Sequence, residues 1–269
     1  MDTGLRGKTA LVTGGSSGIG KGIALALADE GVDLAIASRD PDAAALLEIR
    51  GKGVRCIRIA ADVSRESEVV RMVREAVEGL GSLDLFVNNA AWAWHQPVTK
   101  IDSRSWYATI DTNLSACIWA SREVCRHMIS RRRGSILVIG SASRLTPSYR
   151  EAAYRISKTG LNALVESLTL EMAPYGIRVN MITPGHFRTR LTGSVPREIE
   201  EKMLRLIPSH RFGEPLSVGR AAAFLLSDAL SPYTWGADLV VDGALSLRPL
   251  PLWSDEEAYR FNLPEEETR

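Results

Sequence analysis

The stretch EAAYRISKTG, residues 151–160, sets Tyr154 one residue before Arg155 and four before Lys158. A phenol carries a proton at neutral pH only if its pKa falls from near ~10 by something like ~3 units, which corresponds to roughly 4 kcal/mol. A nearby cation is the obvious source of such a fall. On a helix each residue turns about 100°, so Arg155 points away from Tyr154, while Lys158 sits one turn along and about 40° off. Lys158 is the expected partner. Ser141 closes the apolar run SILVIGS, where its hydroxyl could hold an oxygen against Tyr154. The three residue types suit proton exchange with an oxygen whose charge is developing. The alternative for an isolated Tyr-x-x-x-Lys is a helix anchor, so the rest of the chain must decide.

A second site is written into ALVTGGSSGIGKGIALAL, which runs from an apolar strand through a glycine-rich turn into a helix. Gly14, Gly18 and Gly20, with Ser16, Ser17 and Ile19 between and beside them, would let the backbone approach a pyrophosphate. The helix that starts there offers unbonded N–H groups and the positive end of its dipole. The strand-turn-helix context is the one a dinucleotide site requires. Its spacing is T-G-x-x-x-G-x-G rather than G-x-G-x-x-G.

Both sites need a scaffold. Apolar runs at TALVTG, DLAIAS, VRCIRIAAD, LDLFVNN, SILVIGS, IRVNMIT and DLVVDG give seven strands, nearly continuous in apolar residues, as suits a parallel sheet buried on both faces. Helical patterns lie between them. The clearest places Leu161, Leu164, Val165, Leu168 and Met172 on one face. Alternating strands and helices predict an α/β fold, a doubly wound sheet that binds ligands beyond the carboxyl ends of its strands. From Pro184 to Pro215 prolines and glycines break the alternation around a short helical stretch, read as a flap with a plain connecting loop as the alternative. One domain over residues 1–245 is expected, followed by a tail, 246–269, rich in proline and acid, that packs on the surface or on a neighbouring subunit.

Composition excludes other classes. The 33 basic and 32 acidic residues are mixed along the chain for a net charge of +1, so no electropositive face for nucleic acid or anionic lipid is implied. No apolar run approaches the roughly 18 residues of a membrane span, and no basic leader opens the chain, so a cytoplasmic protein is expected. Cys56, Cys117 and Cys125 lie in apolar segments without C-x-x-C spacing and should be reduced core residues. The histidines at 95, 127, 186 and 210 show no ligand spacing, so no metal is expected.

The glycine turn, NNAA at 88–91, Asn113, Ser141, YRISK at 154–158 and PG at 184–185, in this order, resemble the classical short-chain dehydrogenase/reductase family over residues 5–243. The resemblance implies a single Rossmann-type domain, usually a homotetramer, that binds NAD(H) or NADP(H) and exchanges hydride with a secondary alcohol or ketone. By it, Asn113, on the long helix before Ser141, supports a water that links Lys158 to solvent. Asp62 and Val63 lie at the adenine ring, and Asn88, Asn89 and Ala90 shape the cofactor pocket. Pro184, Gly185 and the backbone of Phe187 lie at the nicotinamide end, and Thr189 lies near the cofactor's phosphate or carboxamide. NAD enzymes place a carboxylate on the ribose at the end of the second strand. Here Ser38 and Arg39 stand there, a pair suited to a 2′-phosphate. NADP(H) is favoured over NAD(H), with Asp40 as the carboxylate that could turn onto a ribose instead. All four of Asn113, Ser141, Tyr154 and Lys158 are kept, whereas a cofactor-sensing binding protein on the same fold could lose any of them.

By the same resemblance the substrate is enclosed by the loop holding Trp92, Trp94 and His95, by Ser143, Arg144, Tyr149 and Arg150, and by His186 and Arg188. Each tryptophan could instead sit in the core. Arg144 stands where the family often has glycine. If it extends a cation toward the pocket, a polar hydroxylated or anionic substrate is favoured, a sugar or hydroxy acid, over a 3-oxoacyl thioester or a cyclic ketone.

Overall fold

The computed structural model describes residues 2–189 and 196–247. The tail beyond residue 247, like positions 190–195 of the expected flap, lies outside the described residues.

Seven strands form one parallel sheet: β1 (Thr9–Thr13), β2 (Asp33–Ser38), β3 (Cys56–Ala60), β4 (Leu85–Asn88), β5 (Gly134–Ile139), β6 (Ile177–Pro184) and β7 (Asp238–Val241). Their order is β3-β2-β1-β4-β5-β6-β7. The chain walks outward from β1 to β3, then crosses back to β4 on the other side of β1. That reversal opens a crevice at the carboxyl ends of β1 and β4, where a doubly wound sheet binds its ligands.

Alternate residues of each strand point to opposite faces, and the two cores divide accordingly. On one face Leu11, Phe86, Ile136, Val138 and Val179 pack with α3 (Glu66–Leu80), α5 (Ala116–Arg131) and α6 (Ala152–Met172). On the other, Ala10, Val12, Leu85, Val87 and Leu137 pack with α1 (Gly18–Asp29), α2 (Ala43–Arg50) and α8 (Pro215–Leu226). The expected stripe on α6 is present: Leu161, Val165 and Met172 are buried, with Leu164 and Leu168 packed at its border. The three cysteines are free and buried. Burial pushes the thiols of Cys56, Cys117 and Cys125 up to about 11, 12 and 12.

Burial on both faces fails at β7. It is the edge of the sheet, and its Leu239 and Val240 remain 37% and 39% exposed. Between β4 and β5 the chain forms α4 (Ser103–Ile110), which continues through a π-wound turn, Asp111–Ser115, into α5. The short helix expected within the flap is α7 (Arg197–Leu206). Among the described residues no helix is long and apolar enough to cross a membrane.

Candidate active site

A cleft of about 1200 Å³ opens at the carboxyl edge of the sheet, lined at β1 by Gly14, Ser17, Gly18, Ile19 and Gly20. The turn is built for close approach. Gly18 has φ +51°, and a side chain on Gly20 would collide with the carbonyl of Gly14 and the amide of Asn89. Ser17 precedes α1 in extended conformation, and its side chain caps none of the first N–H groups of the helix. Those donors face a backbone cradle that no Cβ fills, which fits a phosphate. Strand β4 is knitted to the cradle: Thr13 Oγ1 accepts the N–H groups of Asn89 and Ala90, each at 3.0 Å, and Asn89 Nδ2 donates to the carbonyls of Thr13 and Gly14.

Ser38, Arg39, Asp62 and Val63 line the cleft from the ends of β2 and β3. Ser16 stands behind the wall, its hydroxyl 3.5 Å from that of Ser38. Asp40 is turned out to solvent and paired with Arg58 at 3.1 Å. The only side chain charge that β2 presents to the cleft at its end is therefore that of Arg39, whose guanidinium lies 5.6 Å over the Trp92 ring. Pro184, Gly185 and Thr189 close the wall from β6. Phe187 is buried behind it, its backbone bridged to Gly213.

The same cleft is lined by Ser141, Tyr154 and Lys158. Ser141 follows β5 by two residues, and Tyr154 and Lys158 stand on adjacent turns of α6. Lys158 is 3% exposed; its Nζ donates to the carbonyl of Ile139 at 2.8 Å and lies 6.0 Å from the centre of the Tyr154 ring. Burial draws its pKa down to about 8. The expected lowering of Tyr154 is not found. Burial raises its pKa, a hydrogen bond with Ser141 lowers it in part, and the Glu151 carboxylate raises it further. Lys158, itself buried and bonded to a carbonyl, does not reverse the cost of desolvating a phenolate.

Asn113 is fully buried and sits in the π-wound turn rather than in regular helix. Its Oδ1 accepts from Trp92 N at 2.7 Å, and its Nδ2 donates to Trp92 O at 2.9 Å and to Ser157 Oγ at 3.0 Å. Ser157 Oγ in turn donates to the carbonyl of Tyr154 at 2.7 Å. The side chain thus ties the loop after β4 to the helix of Tyr154. Arg155 donates to the carbonyls of Ser143 and Arg144 at 3.1 and 3.3 Å.

Of the residues expected around a substrate, Trp92 and Trp94 line the cleft, 39% and 47% exposed, with their rings 6.2 Å apart. The others do not line it. Arg144 is the clearest correction: its guanidinium bonds Asp238 at the start of β7 at 2.5 Å, because that half-buried carboxylate offers a better partner than solvent. Tyr149 is 94% exposed, His95 stands 3.8 Å from Glu151, and Arg150 donates to the carbonyl of His95. Ser143 turns its hydroxyl into the protein, Arg188 pairs with Glu200, and His186 packs edge-on to Phe212 in a smaller cavity. Sequence reasoning missed Asp102, Arg104, Ser105, Ala108 and Thr112, which line the cleft from α4 and the turn after it. The signal was there: Asp102 is an N-cap, accepting from Ser105 N at 2.7 Å, in the run DSRS that opens α4 beside the sheet edge.

Residues 8–200 match the family model described as short chain dehydrogenase. The chain belongs to the short-chain dehydrogenase/reductase family. It is an oxidoreductase of the kind that acts on CH–OH groups. This dehydrogenase/reductase is 35% identical over 241 residues to the 3-oxoacyl-acyl-carrier-protein reductase FabG of Staphylococcus epidermidis, an alignment covering 88% of this chain and 98% of the relative. It is also 35% identical over 254 residues to glucose 1-dehydrogenase 2 of Bacillus subtilis, covering 92% and 98%. Among solved structures, an NAD+-bound xylitol dehydrogenase superposes with a TM-score of 0.83 at 30% identity, covering 89% of this dehydrogenase/reductase and 99% of that chain.

Proposed function

We propose that this protein reduces a ketone to a secondary alcohol, or runs the reverse, with NADP(H), on a polar hydroxylated small molecule of the sugar or polyol kind. The observation that carries the reading is the sharing of one cleft by the glycine cradle and by Ser141, Tyr154 and Lys158. Gly14, Gly18 and Gly20 with the first turn of α1 would hold a pyrophosphate, and Ser38 with Arg39 a ribose 2′-phosphate. The end of β2 offers the cleft Arg39 and no carboxylate, with Asp40 held by Arg58, which supports NADP(H) over NAD(H). A nicotinamide bound there supplies or accepts the hydride.

The protein's part is the proton. Ser141 would hold the substrate oxygen at Tyr154, and the phenol, kept protonated by burial, would donate to that oxygen in reduction. The Lys158 ammonium beside the ring would stabilise the phenolate so formed. Asn113 would keep the Trp92 loop and the Tyr154 backbone in register through its bonds to both Trp92 and Ser157. Residues 1–245 would act as one domain, with 184–215 as a flap over the substrate.

The cation argument from Arg144 no longer applies. A hydroxylated substrate is supported instead by Asp102, Arg104 and Ser105 on the cleft wall and by the likeness to a glucose and a xylitol dehydrogenase. A second reading, reduction of a 3-oxoacyl thioester, is favoured by the identity with FabG across nearly all of that relative. Exposed Leu216 and Phe224 on α8 with Leu239 and Val240 on β7 would give copies of the chain an apolar face to bury, which supports a homotetramer. Three buried reduced thiols suit the cytoplasm.

The test is a panel of sugars, polyols, hydroxy acids, 3-oxoacyl thioesters and cyclic ketones, each with NADP(H) and NAD(H), followed by the absorbance of the reduced nicotinamide. Turnover of a sugar or polyol supports the first reading; turnover of thioesters alone moves the assignment to the second. No turnover with any member counts against an oxidoreductase working through Tyr154.

A further inference from the structure

Ser141 is carried by a short turn, and that turn is held from outside the cleft. After β5 the chain makes one 3-10 turn, Ala142–Arg144, in which Ser141 Oγ accepts the N–H of Ser143 at 3.2 Å. So brief an element cannot fix a side chain by its own hydrogen bonds. Two other elements bond to it directly. From α6, Arg155 binds the carbonyls of Ser143 and Arg144. From the turn itself, Arg144 reaches Asp238 on the edge strand β7 at 2.5 Å. The Asp238 carboxylate is fixed in its turn: Oδ1 accepts Thr183 Oγ1 of β6 at 2.6 Å, and Oδ2 accepts Asn162 Nδ2 of α6 at 3.2 Å. Arg144 and Asp238 are 27% and 22% exposed. The Nε of Arg144 is buried without a partner among the described residues, so the hold on its guanidinium rests on Asp238.

We propose that Arg144 and Asp238 are positioning residues that set Ser141 against Tyr154, resting on the reading of those two as the proton-transfer pair. Neither lines the cleft. Their part is to join the Ser141 turn to the α6 and β6 framework that also fixes Tyr154. With the ion pair broken, the turn is still held by Arg155 and by the packing of Ala142 on Ile207, Phe212 and Leu245, but it loses its tie to β7 and Ser141 loses part of its fixed approach to the phenol. An error of about 1 Å in a reacting pair lowers the rate roughly a hundredfold, while the cradle, anchored at β1 and β4, is untouched.

The experiment uses the full chain with the best substrate of the panel and compares wild type with Arg144→Ala, Arg144→Lys and Asp238→Asn. The Asp238→Asn protein keeps a side chain of nearly the same shape with one acceptor oxygen, for either Thr183 or Asn162, and guards against a fold loss in the alanine variant. The expected result is a kcat lower by at least about tenfold in Arg144→Ala and Asp238→Asn, with partial recovery in Arg144→Lys and an unchanged dissociation constant for NADPH. A wild-type kcat in either of the two charge-removing variants overturns the inference. So does a fall in kcat matched by equal losses of cofactor affinity and thermal midpoint, the signature of a merely structural bond. If the proton-transfer reading itself is wrong, that shows separately, as a Tyr154→Phe protein with wild-type turnover.

Discussion

Lys158 Nζ lies 6.0 Å from the centre of the Tyr154 ring and gives its hydrogen bond to the Ile139 carbonyl, not to the phenol. The two groups therefore act through the field between them. Burial holds Tyr154 protonated and draws Lys158 down to about 8. At neutral pH both carry the proton, the state in which a phenol donates and an ammonium waits to stabilise the resulting phenolate.

A pH dependence follows from those two directions. The reduction rate should fall as pH rises through about 8, where Lys158 loses its charge, and the oxidation rate should rise toward higher pH as Tyr154 gives up its proton. Profiles of kcat/KM in both directions check this. A reduction rate that increases through pH 8–9 would contradict the assignment of Lys158 as the charged partner.

Cofactor choice should rest on Arg39. Replacing it with Ala removes a charge-assisted contact worth about 2 kcal/mol, roughly a thirtyfold weaker Kd for NADPH, and should leave NADH binding nearly unchanged. Adding Ser38→Asp should reverse the preference. Titration of each dinucleotide into the variants reads the result; equal losses for both would point to a general loss of the pocket.

Gly20→Ala should remove dinucleotide binding. The added methyl meets the Gly14 carbonyl and the Asn89 amide, so the cradle must shift or the chain loses about 1–3 kcal/mol of stability. Calorimetry with NADPH alongside thermal unfolding separates the two. Tight binding by the variant would show that the phosphate lies elsewhere.

The seven strands and the order of their helices were legible because a buried parallel strand must be apolar nearly throughout. Leu239 and Val240 belong to such a run, yet they stay exposed, since the pattern does not say which strand ends at an edge. The glycine cradle and the Tyr154–Lys158 spacing could be read because each depends on local backbone geometry. The destinations of long side chains could not. Arg144 finds Asp238, 94 residues away in sequence, and Asn113 finds the Trp92 backbone, 21 residues back. Both pairings arise only when the sheet brings distant loops to one edge. The rise in the Tyr154 pKa is equally a product of burial, which a helical wheel does not contain.

The central claim is that Tyr154 carries the proton of the reaction. The most direct measurement pairs NADPH binding with single-turnover reduction in wild type and Tyr154→Phe. The account predicts a dissociation constant within about twofold of wild type and a rate lower by about a thousandfold, within the range positioned acid–base groups contribute. A Phe variant that reduces substrate at the wild-type rate would contradict it.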